Sequence, residues 1–283
     1  MICFPNAKIN LGLHVINKRD DGFHNIETVF LPVGFSDVLE CVENKNYSRQ
    51  QKCVFVSHGL AVSGKASDNL VVKAYHMLDA AFNLPPVLVH LNKIIPMGAG
   101  LGGGSSDAAY MIKLLNGLFE LKLAVGEMEN YAAKLGSDCA FFIANKPAYL
   151  LGKGHELESF FINLAGYYLV LVNTGAHSNT ALAYKHAQRR DLFDRNNNLK
   201  HILQKPVLTW KDTLVNDFEA SVFKSIPELY KVKKWLYTQG AEYASMSGSG
   251  ASMFGLFSEK PKLKGTWKEF VVFEEPLKSK NSG

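Results

Sequence analysis

The sequence predicts a chain of mixed strands and helices in two halves, residues 1–155 and 156–283. Strand-like alternation and helix-like periodicity intermix along the whole chain. A glycine loop links an alternating apolar run to an apolar-periodic helix. A Gly152-Lys153-Gly154 turn followed by a new strand signal from Tyr167 to Asn173 opens the second half.

The glycine loop is the run Pro96-Met97-Gly98-Ala99-Gly100-Leu101-Gly102-Gly103-Gly104-Ser105-Ser106-Asp107-Ala108-Ala109. Five glycines in seven residues let the backbone reach positive φ and approach a ligand closely. Ser105, Ser106 and Asp107 sit where helix caps belong, so the loop should open a helix over Ala108 to Leu118. Unpaired N–H groups and the positive dipole end at such a helix start suit a phosphate. Capping signals this close argue against a flexible linker.

Three common phosphate loops fail on context. The GxGxxG at Gly98, Gly100 and Gly103 is separated from its strand by Lys93-Ile94-Ile95-Pro96, and Glu120 lies in no clear strand, which speaks against a dinucleotide fold. No lysine follows the glycines as a Walker A loop requires, and the HRD and DFG signatures of a protein kinase are absent.

With 47% hydrophobic and 20% charged residues among 283, the chain has material for a large core. Its net charge of +5 suits a phosphate-rich small substrate and does not demand nucleic acid. Cys3, Cys41, Cys53 and Cys139 have no metal-like spacing, and are expected as reduced thiols. The N-terminal residues lack the pattern of a signal peptide, and no apolar run is long enough to cross a membrane. A soluble cytoplasmic protein is expected, with no membrane partner and no signal for an oligomeric state.

In chain order, Ile2 to Ile16 reads as strand, with Lys8 and Asn10 on one face two residues apart. A buried lysine there would need a partner; the alternative is an edge strand with a solvated lysine. Strands follow over Ile26–Val33, Val38–Val42 and Val54–Val56. Ser67-Asp68-Asn69 caps a helix from Leu70 to Phe82 with Leu70, Ala74, Met77, Leu78 and Ala81 on one face. Val87 to Leu91 feeds the glycine loop.

A helix from about Met128 to Leu135 stops at Gly136, and Ser137-Asp138 stands ready to cap Cys139 to Ile143. On spacing alone Asp138 is equally an N-cap and a functional carboxylate. Asn173 to Thr180 is a polar loop leading into a short helix with Tyr184, and Lys185 to Lys200 reads as an exposed charged stretch. Pro227 to Thr238 is an amphipathic helix ended by Gly240. Ser245 to Ser252 is a serine-glycine turn between strands Glu242–Ala244 and Met253–Phe257, and Lys278 to Gly283 is a polar tail.

Three stretches together resemble the signature motifs of the GHMP small-molecule kinases: Pro5-Asn6-Ala7-Lys8-Ile9-Asn10-Leu11, the glycine loop, and Ser247-Gly248-Ser249-Gly250-Ala251. Arg19-Asp20-Asp21-Gly22-Phe23-His24 and Leu135-Gly136-Ser137-Asp138 narrow the likeness. They resemble the branch that phosphorylates the 2-hydroxyl of 4-diphosphocytidyl-2-C-methyl-D-erythritol, in the methylerythritol phosphate route to isoprenoid precursors. The resemblance covers nearly the whole chain in the right order. It implies a two-domain α+β GHMP kinase fold, with an ATP-binding N-terminal domain like a ribosomal protein domain and a ferredoxin-like C-terminal domain.

Residue by residue, the resemblance implies Asp138 as the catalytic carboxylate and Lys8 as its partner near the substrate hydroxyl. Pro96, Met97, Gly98, Ala99, Gly100, Leu101, Gly102, Gly103, Gly104, Ser105 and Ser106 would wrap the ATP phosphates, with Lys93 near the adenine side. His24 would hydrogen-bond the cytosine, Phe23 and Tyr184 would stack on it, and Asn10 and Thr180 would face the sugar or diphosphate. The bland reading of Phe23 and Tyr184 is ordinary core aromatics. Mg²⁺ is expected with ATP, and the hydroxyls of Ser105 or Ser106 are the ligands the sequence offers.

Two departures stand out: Ala140 replaces a proline that many relatives carry after the catalytic aspartate, and Phe23 replaces their tyrosine. Rival readings are a homoserine or mevalonate kinase, a non-catalytic nucleotide-binding protein, and an RNA-binding protein. The Asp-Gly-Phe-His segment disfavours the first, retention of Lys8 and Asp138 the second, and the lack of an arginine-rich face the third.

Overall fold

The computed structural model describes residues 1–20, 22, 24–45, 52–62, 64–152, 154, 156–186 and 198–278, with the backbone alone for 185 and 186. Phe23, Asp21, Lys153 and most of the 185–200 stretch therefore lie outside the described residues, as does the tail after 278. The chain divides into two compact units that interleave in sequence. One comprises Met1–Lys8, Pro32–Met97 and Gly102–Lys146; the other comprises Ile9–Leu31, Gly98–Leu101 and Pro147–Gly283.

In the first unit, strands β1 (Ile2–Cys3), β4 (Val38–Glu43), β6 (Val87–Lys93) and β5 (Cys53–Gly59) form a sheet in the order β1-β4-β6-β5. β4 runs antiparallel to β6, whereas β5 runs parallel to it, from Cys53 opposite Val87 to Gly59 opposite Lys93. A parallel pair needs a crossover, and helix α1 (Leu70–Phe82) supplies it. Asn69 caps α1 as the sequence predicts, accepting a hydrogen bond from the Val71 amide. The buried face differs in part: Val71, Val72 and Tyr75 join Ala74 and Leu78, while Ala81 is exposed. α1 packs on two helices and a strand, so more than one stripe is covered; the Tyr75 hydroxyl satisfies itself on the Pro85 carbonyl.

Helix α2 spans Gly103–Leu118 and begins five residues before its predicted start. Ser105, Ser106 and Asp107 are thus inside the first two turns rather than caps. The N-cap is Gly102, at φ +70, and no side chain caps this end. Only glycine takes that left-handed conformation readily, which is why the helix can start within the glycine run. α3 (Val125–Leu135) ends at Gly136 as expected, and a short α4 (Phe141–Ala144) follows. Its N-cap is Ala140 and accepts no side-chain bond, so Asp138 is not a helix cap.

The second unit holds most of β2 (Asn6–Lys18) and β3 (His24–Ser36), with β7 (Ala148–Leu151) and β8 (Glu156–Ser159), in the order β2-β3-β7-β8. A second antiparallel sheet runs β10 (Tyr243–Met246), β11 (Met253–Phe257), β9 (Tyr168–Val172) and β12 (Val271–Pro276). α7 (Glu219–Ser225) and α8 (Pro227–Thr238) pack together, and α8 lies on β10 and β11. Leu229, Val232, Trp235 and Leu236 of α8 meet Val170, Val172, Ala244, Met246 and Met253 in one core. Short helices α5 (Thr180–His186) and α6 (Leu199–Leu203) complete the unit.

Candidate active site

Within the first unit, β2 is covered on both faces around Lys8, whose side chain is 4% exposed. The predicted alternative of a solvated edge lysine is therefore overturned: the residues on either side, Ala7 and Ile9, are fully buried. Lys8 Nζ lies 3.6 Å from Asp138 Oδ2, and the Asp138 side chain is 29% exposed. Burial pulls the Lys8 ammonium below the usual lysine range, while the Asp138 carboxylate pulls it back up. The result is a buried cation beside a partly open carboxylate.

Neighbouring residues hold Asp138 there. Cys139 is fully buried, and its thiol interacts with the Ser105 side chain in the first turn of α2. Burial pushes that thiol up to about 11, so it stays protonated and serves as an anchor. A Cβ built on Gly102 would stand 3.2 Å from Lys8 Cγ and 2.9 Å from the Phe142 ring. The end of the glycine loop, Lys8 and the Asp138 turn thus meet in one place.

Lys93 is 1% exposed and pairs with Asp37 and with Asp107 Oδ2, the latter at 2.8 Å. Asp37 Oδ1 also accepts the Ile94 and Ile95 amides at 2.6 and 2.9 Å. A Cβ on Gly103 would lie 2.8 Å from Lys93 Nζ, which puts the lysine under the first turn of α2 rather than at an exposed edge. Burial raises the Asp107 carboxyl to about 7, against the pull of Lys93.

In the second unit, the first half of the glycine loop is locked to the serine-glycine turn. Ser247 Oγ donates to the Gly100 carbonyl at 2.8 Å, and the Ser252 amide donates to the Ala99 carbonyl at 3.1 Å. Gly100 has φ +79, and a Cβ there would fall 1.9 Å from the Ser247 carbonyl oxygen. Ala99 and Leu101 are buried, whereas Gly98 is exposed.

Asn10 Nδ2 donates to Thr28 Oγ1 at 2.9 Å, and Thr28 in turn donates to the Gly12 carbonyl at 2.7 Å. The Ser247 hydroxyl lies 3.4 Å from Asn10 Oδ1. Thr180 Oγ1 and Ser249 Oγ are 2.8 Å apart on the exposed side of the turn. The His24 and Tyr184 rings stack at 5.1 Å with planes 19° apart. Tyr184 is half-buried and packs on the unit's core, so it is at once a core aromatic and a ring beside His24. Phe23 lies outside the described residues.

Sequence reasoning missed Asp37, Asp107 and Asn216. Asn216 Nδ2 donates to the carbonyls of Met246 and Gly248, both at 2.8 Å, and so grips the serine-glycine turn. Asp107 carried a signal, since it adjoins the serines of the glycine run; Asp37 and Asn216 stand far from every motif.

The pattern for the N-terminal domain of GHMP kinases matches residues 69–146, and that for the C-terminal domain matches 188–270. A 4-diphosphocytidyl-2-C-methyl-D-erythritol kinase of Bacteroides fragilis is 50% identical over 279 residues, covering 98% of this chain and all of that protein. The protein of the same name from Azobacteroides pseudotrichonymphae is 48% identical over 94% of this chain and 97% of its own length. A crystal structure of 4-(cytidine 5'-diphospho)-2C-methyl-D-erythritol kinase superposes with a TM-score of 0.75 at 29% identity, covering 90% of each chain. The chain belongs to the GHMP kinases, and within them to the group formed by the 4-diphosphocytidyl-2-C-methyl-D-erythritol kinases. It has that family's two-domain α+β fold.

Proposed function

We propose that this chain transfers the γ-phosphoryl group of ATP to the 2-hydroxyl of 4-diphosphocytidyl-2-C-methyl-D-erythritol. The observation that carries the chemistry is the Lys8–Asp138 pair beside the end of the glycine loop. Phosphoryl transfer is governed by positioning and by stabilising charge on the transferring oxygens. A carboxylate placed beside the acceptor takes up the hydroxyl proton as the new ester bond forms. The Lys8 ammonium, held in a dry setting, favours negative charge developing near that hydroxyl.

The loop fits a polyphosphate. The N-terminal end of α2 carries no side-chain cap, and around Gly98 and Gly104 a Cβ would meet nothing within 4 Å. ATP supplies the phosphoryl group, and Pro96 to Ser106 would hold its phosphates through backbone N–H groups. Lys93 supports this loop from beneath, since both of its carboxylate partners are buried with it. Mg²⁺ would be held mainly by the phosphates, as is usual for this ion. Among the described residues no cluster of three or more His, Cys, Asp or Glu side chains could hold a metal. The buried Ser106 hydroxyl, which finds no hydrogen-bond partner among the described residues, and its neighbour Ser105 are the protein oxygens suited to the ion.

On the acceptor side, the adjoining His24 and Tyr184 rings form a site for a cytosine, with Phe23 next to His24 in sequence. Stacking on such rings contributes about 1–3 kcal/mol per base. Asn10 and Thr180 would face the sugar or diphosphate. No helix among the described residues is long and apolar enough to cross a membrane, and four cysteines are free. The free thiols support a reducing, cytoplasmic setting, and the likeness to the cytidine diphosphate alcohol kinases supports a small-molecule partner.

The test is ADP release with magnesium and ATP, offering the cytidine diphosphate alcohol, mevalonate and homoserine separately. Turnover confined to the cytidine substrate is expected. Turnover with either other alcohol would remove the roles given to His24 and Tyr184.

A further inference from the structure

The segment Val215 to Phe218 stands between a 3-10 turn at Val207–Asp212 and α7, far in sequence from every motif above. It is pinned to β2 by three hydrogen bonds. The Leu13 amide donates to the Val215 carbonyl at 3.0 Å, the Asp217 amide to the Leu13 carbonyl at 2.8 Å, and the Val15 amide to Asp217 Oδ2 at 2.9 Å.

Two side chains leave this fixed backbone for different parts of the unit. Asn216, 3% exposed, spends both amide hydrogens on the Met246 and Gly248 carbonyls, and its Oδ1 accepts the Phe218 amide at 3.0 Å. Through Ser247 and Ser252, the turn that Asn216 grips holds the Gly100 and Ala99 carbonyls of the glycine loop. Phe218 instead meets the Tyr184 ring edge-on, at 4.7 Å and 79°, and Tyr184 stacks on His24.

A buried asparagine among apolar side chains is costly unless its hydrogen bonds are made. Here those bonds go to the carbonyls of a glycine-rich turn whose own backbone closes through the Ser247 amide on the Ser252 carbonyl at 2.9 Å and the Gly250 amide on the Ser247 carbonyl at 3.0 Å. An edge-on aromatic contact likewise fixes the tilt of its partner as well as burying area.

We propose that Asn216 and Phe218 are positioning residues that serve the two substrates separately. Asn216 sets the serine-glycine turn, and through it the first half of the phosphate loop, for the nucleotide. Phe218 sets the Tyr184 ring, and with it His24, for the base of the acceptor. The division rests on the assignment of ATP to the glycine loop and of the cytidine alcohol to His24 and Tyr184.

The test compares Asn216→Asp with Phe218→Leu, after circular dichroism and thermal unfolding show each to be folded. Binding of a non-hydrolysable ATP analogue and of the cytidine diphosphate alcohol is measured by calorimetry, beside the two KM values. Asn216→Asp keeps the shape but loses both donors, so it should weaken the analogue by about tenfold and change the alcohol by less than about twofold. Phe218→Leu should show the reverse pattern, and Phe218→Tyr, which keeps the ring, should restore alcohol binding.

Should Asn216→Asp fail to fold, Asn216→Ser keeps one donor and carries the same test. Parallel weakening of both ligands by both variants, or a loss of stability with neither affinity changed, would overturn the proposal. If the wild type binds both ligands yet releases no ADP, the kinase reading falls while the split in affinities still decides the roles of Asn216 and Phe218.

Discussion

Lys8 Nζ and Asp138 Oδ2 stand 3.6 Å apart, with the lysine buried and the carboxylate open to the outside over almost a third of its side chain. The pairing brings together residues 130 positions apart in sequence, from the first long strand and from the turn after α3. The cation is the group that needs the partner, and the anion is the group a substrate can reach.

Replacing Asp138 by Asn keeps the shape and removes the charge. Turnover should fall by about 10²–10⁴, the usual contribution of a positioned acid or base. Calorimetric affinity for ATP should stay unchanged, because the substitution leaves the loop backbone intact. An equal loss in nucleotide affinity would move Asp138 from the chemistry to the phosphate site.

The same variant should lower the Lys8 titration further. Burial already depresses the Lys8 ammonium, and the Asp138 carboxylate opposes that effect. Lysine-resolved NMR titration of wild type and Asp138→Asn measures the direction. A rise, or no change, would show that the pair is not electrostatically coupled.

Much of this site was readable before any coordinates. The β2 pattern put Lys8 and Asn10 on one face, the glycine run announced the loop, and Asn69 and Gly136 marked helix ends at the right residues. The start of α2 was misread because serine and aspartate are both good caps and tolerable first-turn residues, while the actual N-cap is a glycine. β7 is a run of four apolar residues with no period to read, and β8 is an exposed edge strand with two glutamates. β12 did alternate between covered and open positions and could have been found. Asp37 and Asn216 act across long separations on groups that no local pattern identifies.

Lys93→Met should destabilise the protein by about 3–5 kcal/mol, since it leaves the Asp37 and Asp107 carboxylates buried without their cation. Denaturant unfolding measures this. The double replacement Lys93→Met with Asp107→Asn should recover part of the loss, as expected for residues sharing one network. A cost below about 1 kcal/mol for the single change would mean that the pairs are weak.

Gly100→Ala should impair both folding and nucleotide binding. The left-handed backbone alone costs an alanine about 1–2 kcal/mol, and the added methyl would lie 1.9 Å from the Ser247 carbonyl oxygen. Gly104→Ala, where a Cβ meets nothing within 4 Å and the residue is helical, should leave stability unchanged or raised. Thermal unfolding of the two variants side by side separates them.

Lys113 links α2 to the Phe142 carbonyl at 2.7 Å, and burial lowers its ammonium from 10.5 to about 8. Between about pH 8 and 10.5 the unfolded chain therefore holds more protons than the folded one, so stability contributed here rises with pH across that window. Below about pH 8 both states are protonated and the burial penalty is felt in full. The stability difference between wild type and Lys113→Met should accordingly shift in favour of wild type as pH rises through this range. A flat difference would contradict it.

The 2-hydroxyl of the alcohol is the expected acceptor of the phosphate. Proton-coupled phosphorus NMR of the product formed from the cytidine diphosphate alcohol reads this directly. The 2-carbon bears a methyl group and no hydrogen, so a phosphate placed there gives a monoester resonance without splitting by a proton on its ester carbon. That singlet, absent with Asp138→Asn, is the expected result. A monoester resonance split by carbinol or methylene protons, or ADP formed with no new phosphate ester, would contradict the account.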